Sequence, residues 1–334
     1  MRFIAALVLG LLVTAWTQAG AHPVQGKLRK VLARSRLEHQ LERQVSTALQ
    51  AWTTLHANGA RPFNSSDVDD LFDRHKQAAV RLTVRNGALS ATLPSETWCH
   101  SRARAVKRMF DTVVHSRGLP DGLDVVWNVD DRPLCPGSLE SVHAPPLIAT
   151  CTQEGFADVP GTVVEASRAN VDEAALSDSL PWQTRSDVAF WAGSTTGRWL
   201  ASGGRRTIDN WAELPRSRLC NISKQHPDIL DAKFVKCAKC EPGVWELVTQ
   251  VLGQPDPEGY PTAEGQARHK FIVDIDGEGY SGRFAEHLGN GAVHFKVETE
   301  YPTQLTQIAI PYVHYMPAYH TLFSSIEFSP QQRI

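Results

Sequence analysis

The sequence predicts an α/β chain of two domains with mostly parallel sheets. Three observations carry that expectation. The chain has 334 residues, too many for one core at roughly 100–200 residues per domain. It is 42% hydrophobic and 21% charged, with 9 Trp and 12 Phe as core material. Segments with the alternation of strands also take turns with segments of helical period along the chain. The 34 basic and 36 acidic residues leave a formal charge of −2, which excludes a general nucleic-acid binder. The same balance and the aromatic content exclude a disordered chain. Ordinary Gly and Pro usage excludes a collagen-like one.

The chain opens on Met1-Arg2, an apolar run from Ile4 to Trp16, and the small residues Ala19-Gly20-Ala21. This is the pattern of a secretory signal peptide cleaved after Ala21. The run is too short for a bilayer core of ~30 Å, and no other run approaches that length, so no membrane contact is expected beyond the signal. The expected location is the secretory lumen, endoplasmic reticulum or Golgi, or outside the cell. Asn64-Ser-Ser66 and Asn221-Ile-Ser223 are N-x-S acceptor sequons. The six cysteines, Cys99, Cys135, Cys151, Cys220, Cys237 and Cys240, are an even set that suits disulfides in an oxidising compartment. Cys237-Ala-Lys-Cys240 also has the spacing of half a zinc site or a redox pair. With no second such pair in the chain, a structural disulfide is the expectation.

Residues 31–57 read as a helix, with Leu37, Leu41, Val45, Leu49 and Trp52 on one face and Asn58-Gly59 as the stop. An acidic helix follows through Val68–Phe72. Val80, Leu82 and Val84 then alternate up to Asn86-Gly87, and Leu89 and Ala91 resume the pattern: a hairpin. Residues 101–116 read as helix and Leu123–Val129 as an apolar strand. The Pro/Ser/Asp-rich stretch 135–186 is the expected linker, dividing a domain over 22–185 from one over 186–334. Asp187–Trp191 is a short strand, 209–219 and 226–233 are helical, and 253–265 is a Pro/Gly-rich break. Lys270–Asp276 and Ala292–Val297 are strands on either side of a short helix, Arg283–Leu288.

Chemistry concentrates in two places. In the first, a strand runs into Gly277-Glu-Gly-Tyr-Ser-Gly-Arg283 and a helix. Glycines let a backbone approach phosphate closely, and a helix start offers free N–H groups and partial positive charge. Gly277, Gly279 and Gly282 spell G-x-G-x-x-G, with Glu298 where a ribose-binding acid would stand. This keeps an NAD-dependent oxidoreductase open as a remote alternative, beside a glycine turn with no ligand. Against NAD stand the short helix, the position late in the chain, and Arg283, whose guanidinium suits a diphosphate leaving group. Asp274 and Asp276 form a D-x-D whose carboxylates share one strand face, able in principle to chelate a cation or simply to cap the turn. The second place is Asn128-Val-Asp-Asp-Arg-Pro133, with Asp130 and Asp131 at a strand's carboxyl end. There α/β sheets place their sites, and an aspartate can act as general base; a plain turn is the competing reading.

Together these segments resemble glycosyltransferase family 90, the capsule-associated O-glycosyltransferases, which include fungal xylosyltransferases and the Rumi-like animal protein O-glucosyltransferases. His269–Phe284 is similar to the family's H-K-Y…D-x-D-G-x-x-x-S-G-R-F. Val293–Lys296 resembles V-x-x-K, Glu300-Tyr301 stands for E-W, and Pro311–Pro317 resembles P-W-x-H-Y-x-P. Upstream, Trp191–Gly197 resembles W-R-G-S-T-T-G, Asn128–Pro133 resembles N-V-x-D-x-P, and Pro227–Ala232 resembles P-x-x-x-D-A. The likeness runs over about residues 120–317 in one order. Ala192, Tyr301 and Tyr312 depart from the family's Arg, Trp and Trp. After Pro317 the chain has a shorter segment than the family's.

The resemblance implies a GT-B-like fold, two Rossmann-like domains facing across a cleft, with acceptors on the N-terminal side and a nucleotide sugar on the C-terminal side. It implies an inverting transferase that moves glucose or xylose from UDP-glucose or UDP-xylose to a hydroxyl of a protein Ser/Thr or a glycan. Asp131 would be the base. Gly193, Ser194 and Thr195 would line the donor, Gly277, Ser281, Gly282 and Arg283 would hold its diphosphate, and Glu300 would face the ribose. No metal or other cofactor is expected, which leaves Asp274 and Asp276 structural. His314 and Tyr315 would support their strand. A degenerate member that binds sugar nucleotide or glycan without turnover is the alternative.

Overall fold

The computed structural model describes most of residues 39–58 together with 63–137, 144–161, 179–197, 205–253, 255 and 259–319. The expected signal peptide, most of the segment after Pro317, and parts of the first helix and of the expected linker lie outside the described residues. The described residues fall into two compact units, one drawn from Met1–Ala169 and Tyr301–Ile308, the other from Asn170–Glu300 and Ala309–Ile334.

The first unit begins with α1 (Gln50–Ala57), where the buried indole of Trp52 donates to the Ala144 carbonyl at 2.8 Å. Helix α2 (Ser65–His75) starts at a capping box: Asn64 Oδ1 accepts from the backbone N–H groups of Ser66 and Asp67, and Asp67 accepts from that of Asn64. Strands β1 (Ala79–Arg85) and β2 (Ala88–Thr92) form the expected hairpin, Arg85 opposite Ala88. Asn86 and Gly87 sit at φ 53° and 71°, the left-handed pair that such a turn requires. After α3 (His100–Arg117), strand β3 (Asp124–Asn128) pairs antiparallel with β1.

The stretch expected as a linker instead holds two short strands, β4 (Leu147–Ala149) and β5 (Val159–Pro160). Both join parallel to the sheet, whose order is β2-β1-β3-β4-β5, so this sheet is mixed. Alternation sends Val80, Leu82, Val84, Val125 and Trp127 to one face, against Ala103, Val106 and Phe110 of α3. Ala79, Val126 and Leu147 face the other way, onto Leu71 of α2. The last segment of this unit, α8 (Gln304–Ile308), arrives from far along the chain. Its approach is tied down by Thr152 N–H donating to the Pro302 carbonyl at 2.9 Å and by a bridge between Cys151 and Thr303.

The second unit is a wholly parallel sheet of β6 (Ala189–Ser194), β7 (Leu230–Lys236), β8 (Phe271–Asp274), β9 (Val293–Val297) and β10 (Met316–Ala318), in the order β7-β6-β8-β9-β10. Its helices are α4 (Pro215–Gln225), α5 (Val244–Leu252), α6 (Ala263–Ala267) and α7 (Gly282–His287). Helix α7 falls where expected. Residues 226–233, expected as helix, instead lead into β7, where Leu230, Ala232 and Phe234 alternate inward and pack with Trp191, Leu219 and Val248. The chain leaves β6 outward to β7 and then crosses to β8 on the other side. Strand order thus reverses between β6 and β8, and open α/β sheets bind ligands beyond the carboxyl ends at such a point.

Cys237 and Cys240 are disulfide-bonded as expected, but among the described residues no disulfide joins Cys99, Cys135, Cys151 or Cys220, so the even count does not mean three bridges. Burial pushes the Cys99 and Cys135 thiols up to about 12, which keeps them protonated and inert. Asn221 is wholly buried in α4, so its sequon is closed to modification in the folded chain; Asn64 is exposed. No described helix is long and apolar enough to cross a membrane.

Candidate active site

The carboxyl end of β6 runs into Ser194-Thr-Thr-Gly197, and two buried arginines hold this loop by its carbonyls. Arg206, fully buried, donates from Nε to the Thr195 carbonyl (2.9 Å) and from Nη2 to that of Gly197 (3.3 Å). Its Nη1 meets Glu278 at 3.1 Å, and Glu278 also pairs with Lys239. Arg216, from the first turn of α4, donates from Nη1 to the Ser194 carbonyl and the Thr196 hydroxyl. Its Nε and Nη2 reach across to the carbonyls of Asp276 (2.9 Å) and Ile275 (3.1 Å) beyond β8. Burial, then the charge of nearby Arg283, brings Arg216 down to about 9. The loops after β6 and β8 therefore share one guanidinium.

Beyond β8 the D-x-D is clasped by a lysine. Lys296 of β9 lies 2.8 Å from Asp274 Oδ2 and 2.8 Å from Asp276 Oδ1, because the register sets Asp274 opposite Lys296. Burial disfavours the Asp274 carboxylate, but Lys296 and the Ser281 hydroxyl outweigh it and hold the pKa below the usual range. Burial likewise works against the Lys296 ammonium, and Asp274 and Asp276 outweigh it in turn. Ser281, at the start of α7, donates its hydroxyl to Asp274 at 2.5 Å and its N–H to Asp276 at 3.2 Å; Thr299 donates to Asp276. The two carboxylates thus shape the turn.

Two of the glycines are explained by protein neighbours. A Cβ on Gly193 would lie 2.6 Å from the Trp191 ring, and one on Gly277 would lie 3.1 Å from Arg216 Nη2. Gly282 opens α7. Arg283, part-buried, donates from Nη1 to the Ala192 carbonyl and lies over the Trp191 ring at 5.6 Å. That is one of its five N–H groups; the others make no hydrogen bond among the described residues. Arg216 is spent on the protein and Arg283 is not. Gly193, Ser194, Thr195, Gly277, Ser281, Gly282 and Arg283 are thus gathered at one end of one sheet, while Glu300 is exposed at the last residue of this stretch of the unit. Tyr315 packs edge-on to Phe284 at 5.6 Å, and His314 Nδ1 accepts from the Ile310 N–H.

In the first unit, Asp131 follows β3 in a turn built by side chains. Asn128 Oδ1 accepts from the Asp130 N–H at 2.7 Å, and Asn128 Nδ2 donates to the Arg132 carbonyl at 2.7 Å. Buried Asp158 accepts from the N–H groups of Leu134 and Cys135 and fixes the far side of the turn. Burial raises Asp158 despite those bonds, and it raises Asp130 as well. Asp131 is the more accessible of the pair, its side chain one-third open, and Oδ1 pairs with Arg102 of α3 at 2.5 Å. Its Oδ2 makes no hydrogen bond among the described residues. Arg206, Arg216, Asp158 and Arg102 were not read as functional from the sequence. No local pattern marks them, and each acts on a loop distant in the chain.

The family model for glycosyl transferase family 90 matches residues 57–331. The chain belongs to glycosyl transferase family 90. No curated protein sequence matches it. Family 90 membership makes glycosyl transfer, with a sugar donor and an acceptor, the class of reaction. It leaves the glycine motif after β8 without an NAD role. That motif follows the third strand of its unit in chain order and opens a six-residue helix, whereas a dinucleotide fingerprint follows the first strand.

Proposed function

We propose that this family 90 member is an inverting glycosyltransferase that moves glucose or xylose from a UDP-sugar to a hydroxyl of a protein or glycan acceptor. The observation that carries the reading is Arg283, a part-buried guanidinium with most of its donors unspent, at the strand-order reversal. A part-buried cation with unmet N–H groups is costly unless an anion completes it, and a diphosphate accepts in the paired geometry that guanidinium offers. Ser194, Thr195, Ser281 and the glycines line the donor in this reading, and Glu300 faces its ribose.

Asp131 Oδ2 takes the proton of the acceptor hydroxyl. The hydroxyl oxygen forms its bond to the anomeric carbon from the side opposite UDP, and the bond from that carbon to the phosphate oxygen breaks, its electron pair leaving with UDP. The products are the inverted glycoside, UDP and protonated Asp131. Arg283 stabilises the charge on the departing oxygen. No metal is required, since Lys296 already neutralises the D-x-D. The reading takes the two units as the two domains of a GT-B enzyme, and the expected signal peptide and the Cys237–Cys240 bond support a lumenal location.

A second reading, a member that binds sugar nucleotide or glycan without turnover, is favoured by the Asp131–Arg102 ion pair, which engages the proposed base. UDP release from UDP-glucose and UDP-xylose, with acceptor and with EDTA, separates the two. The expected outcome is turnover that survives EDTA and falls about 10²–10⁴-fold in Asp131→Asn, with UDP affinity unchanged. Wild-type rate in that variant removes the base assignment. UDP binding with no turnover on either donor leaves the binder.

A further inference from the structure

Tyr260 stands on the second unit, in the loop before α6, and nothing so far assigns it a task. Gly259, at φ 75°, turns the chain ahead of it, and Thr262 caps α6 behind it by accepting from the Gly265 N–H at 3.0 Å. The ring is therefore held at both ends, yet it is 51% exposed, and its hydroxyl makes no hydrogen bond among the described residues. Lys236, at the carboxyl end of β7, holds its ammonium 5.3 Å from the ring centroid. Lys236 itself stands opposite Ser194 in the β6–β7 register, and its carbonyl accepts from the Thr195 N–H at 3.2 Å. An anchored aromatic, half open to solvent, thus borders the cationic edge where strand order reverses.

We infer that Tyr260 is the stacking platform for the nucleobase of the donor. The inference rests on the diphosphate reading of Arg283 and extends it. A nucleotide whose diphosphate sits on Arg283 must rest its base on a neighbouring surface, and Tyr260 offers an exposed aromatic one next to the loop after β6. The ring takes the base on its open face while Lys236 occupies the other; such stacking uses the π-face and needs no hydrogen bond from the tyrosine.

Calorimetric titration of the full chain with UDP and, separately, with inorganic pyrophosphate tests this in wild type, Tyr260→Ala and Tyr260→Phe, with thermal unfolding as the control for folding. The expected result is about tenfold weaker UDP binding in Tyr260→Ala, near wild-type binding in Tyr260→Phe, and pyrophosphate affinity the same in all three. UDP affinity unchanged in Tyr260→Ala overturns the inference. So does an equal loss for UDP and pyrophosphate, because Tyr260 would then act on the phosphate end. Wild type that binds pyrophosphate as tightly as UDP overturns it while sparing the diphosphate site. Wild type that binds neither removes the diphosphate reading and this inference with it.

Discussion

The two candidate loops are held by opposite charges. The Asp131 turn in the first unit is organised by a buried carboxylate: Asp158 accepts backbone N–H groups, and Asn128 closes the near side. The loops after β6 and β8 in the second unit are organised by buried cations, with Arg206 and Arg216 donating to backbone carbonyls and Lys296 bridging two aspartates. A loop of either kind could be fixed by either sign, so the choice carries information. Cations beneath a turn favour a ligand that brings negative charge. The scaffolding of the loops after β6 and β8 thus already has the sign that a diphosphate asks of it.

The strongest way to break this contrast is Arg216→Met. Three carbonyls and a hydroxyl lose a charged donor, so unfolding in urea should show a loss of about 3–5 kcal/mol, and UDP binding should weaken with it. Full stability together with full UDP affinity would mean that the shared guanidinium organises neither loop. Asp158→Ala should have the smaller effect, about 2 kcal/mol from the unmet N–H groups of Leu134 and Cys135. Its signature is a fall in turnover with UDP affinity untouched. A matching loss of UDP affinity would show that the two loops are not independent.

The smallest effect is expected from pH, with one histidine in each unit. Burial lowers His75, whose Nε2 is 3.7 Å from the Cys135 thiol, and burial also lowers His269, stacked on Phe190 at 4.4 Å; both fall below their ordinary 6.5. The unfolded chain then binds protons first as pH drops through about 6.5, so stability is present above that value and is lost on acidification. The urea midpoint should decrease from about pH 7 to about pH 5, and less steeply in His75→Gln or His269→Gln. The replacement that flattens the profile more names the unit that loosens first. A midpoint that does not change with pH in wild type would refute the assignment.

Much of this was legible in the sequence where local chemistry is decisive. Val80, Leu82 and Val84 before Asn86-Gly87 specify a hairpin without help, and the order of strands and helices gives the α/β class. Strands β4 and β5 were not legible. Three and two residues long, they are strands because β3 offers an edge to β4 and β4 offers one to β5, and nothing in their own composition says so. The segment 226–233 misled for the same reason: pairing with β6 overrides its local pattern. At the site, Asp131, Ser194 and Arg283 stood out through motifs, since a motif records residues close in the chain. Arg206 and Arg216 did not, because a guanidinium that reaches loops from both β6 and β8 has no signature at either.

The return of residues 301–308 to the first unit has a consequence for biosynthesis. A polypeptide emerges from the ribosome amino end first, yet the partners of Cys151 and Thr152 are Thr303 and Pro302. The earlier-made unit therefore cannot finish until almost the whole second unit has been translated. Nascent chains halted before position 301 should display an incomplete edge at that point, and that edge is where a chaperone would find them.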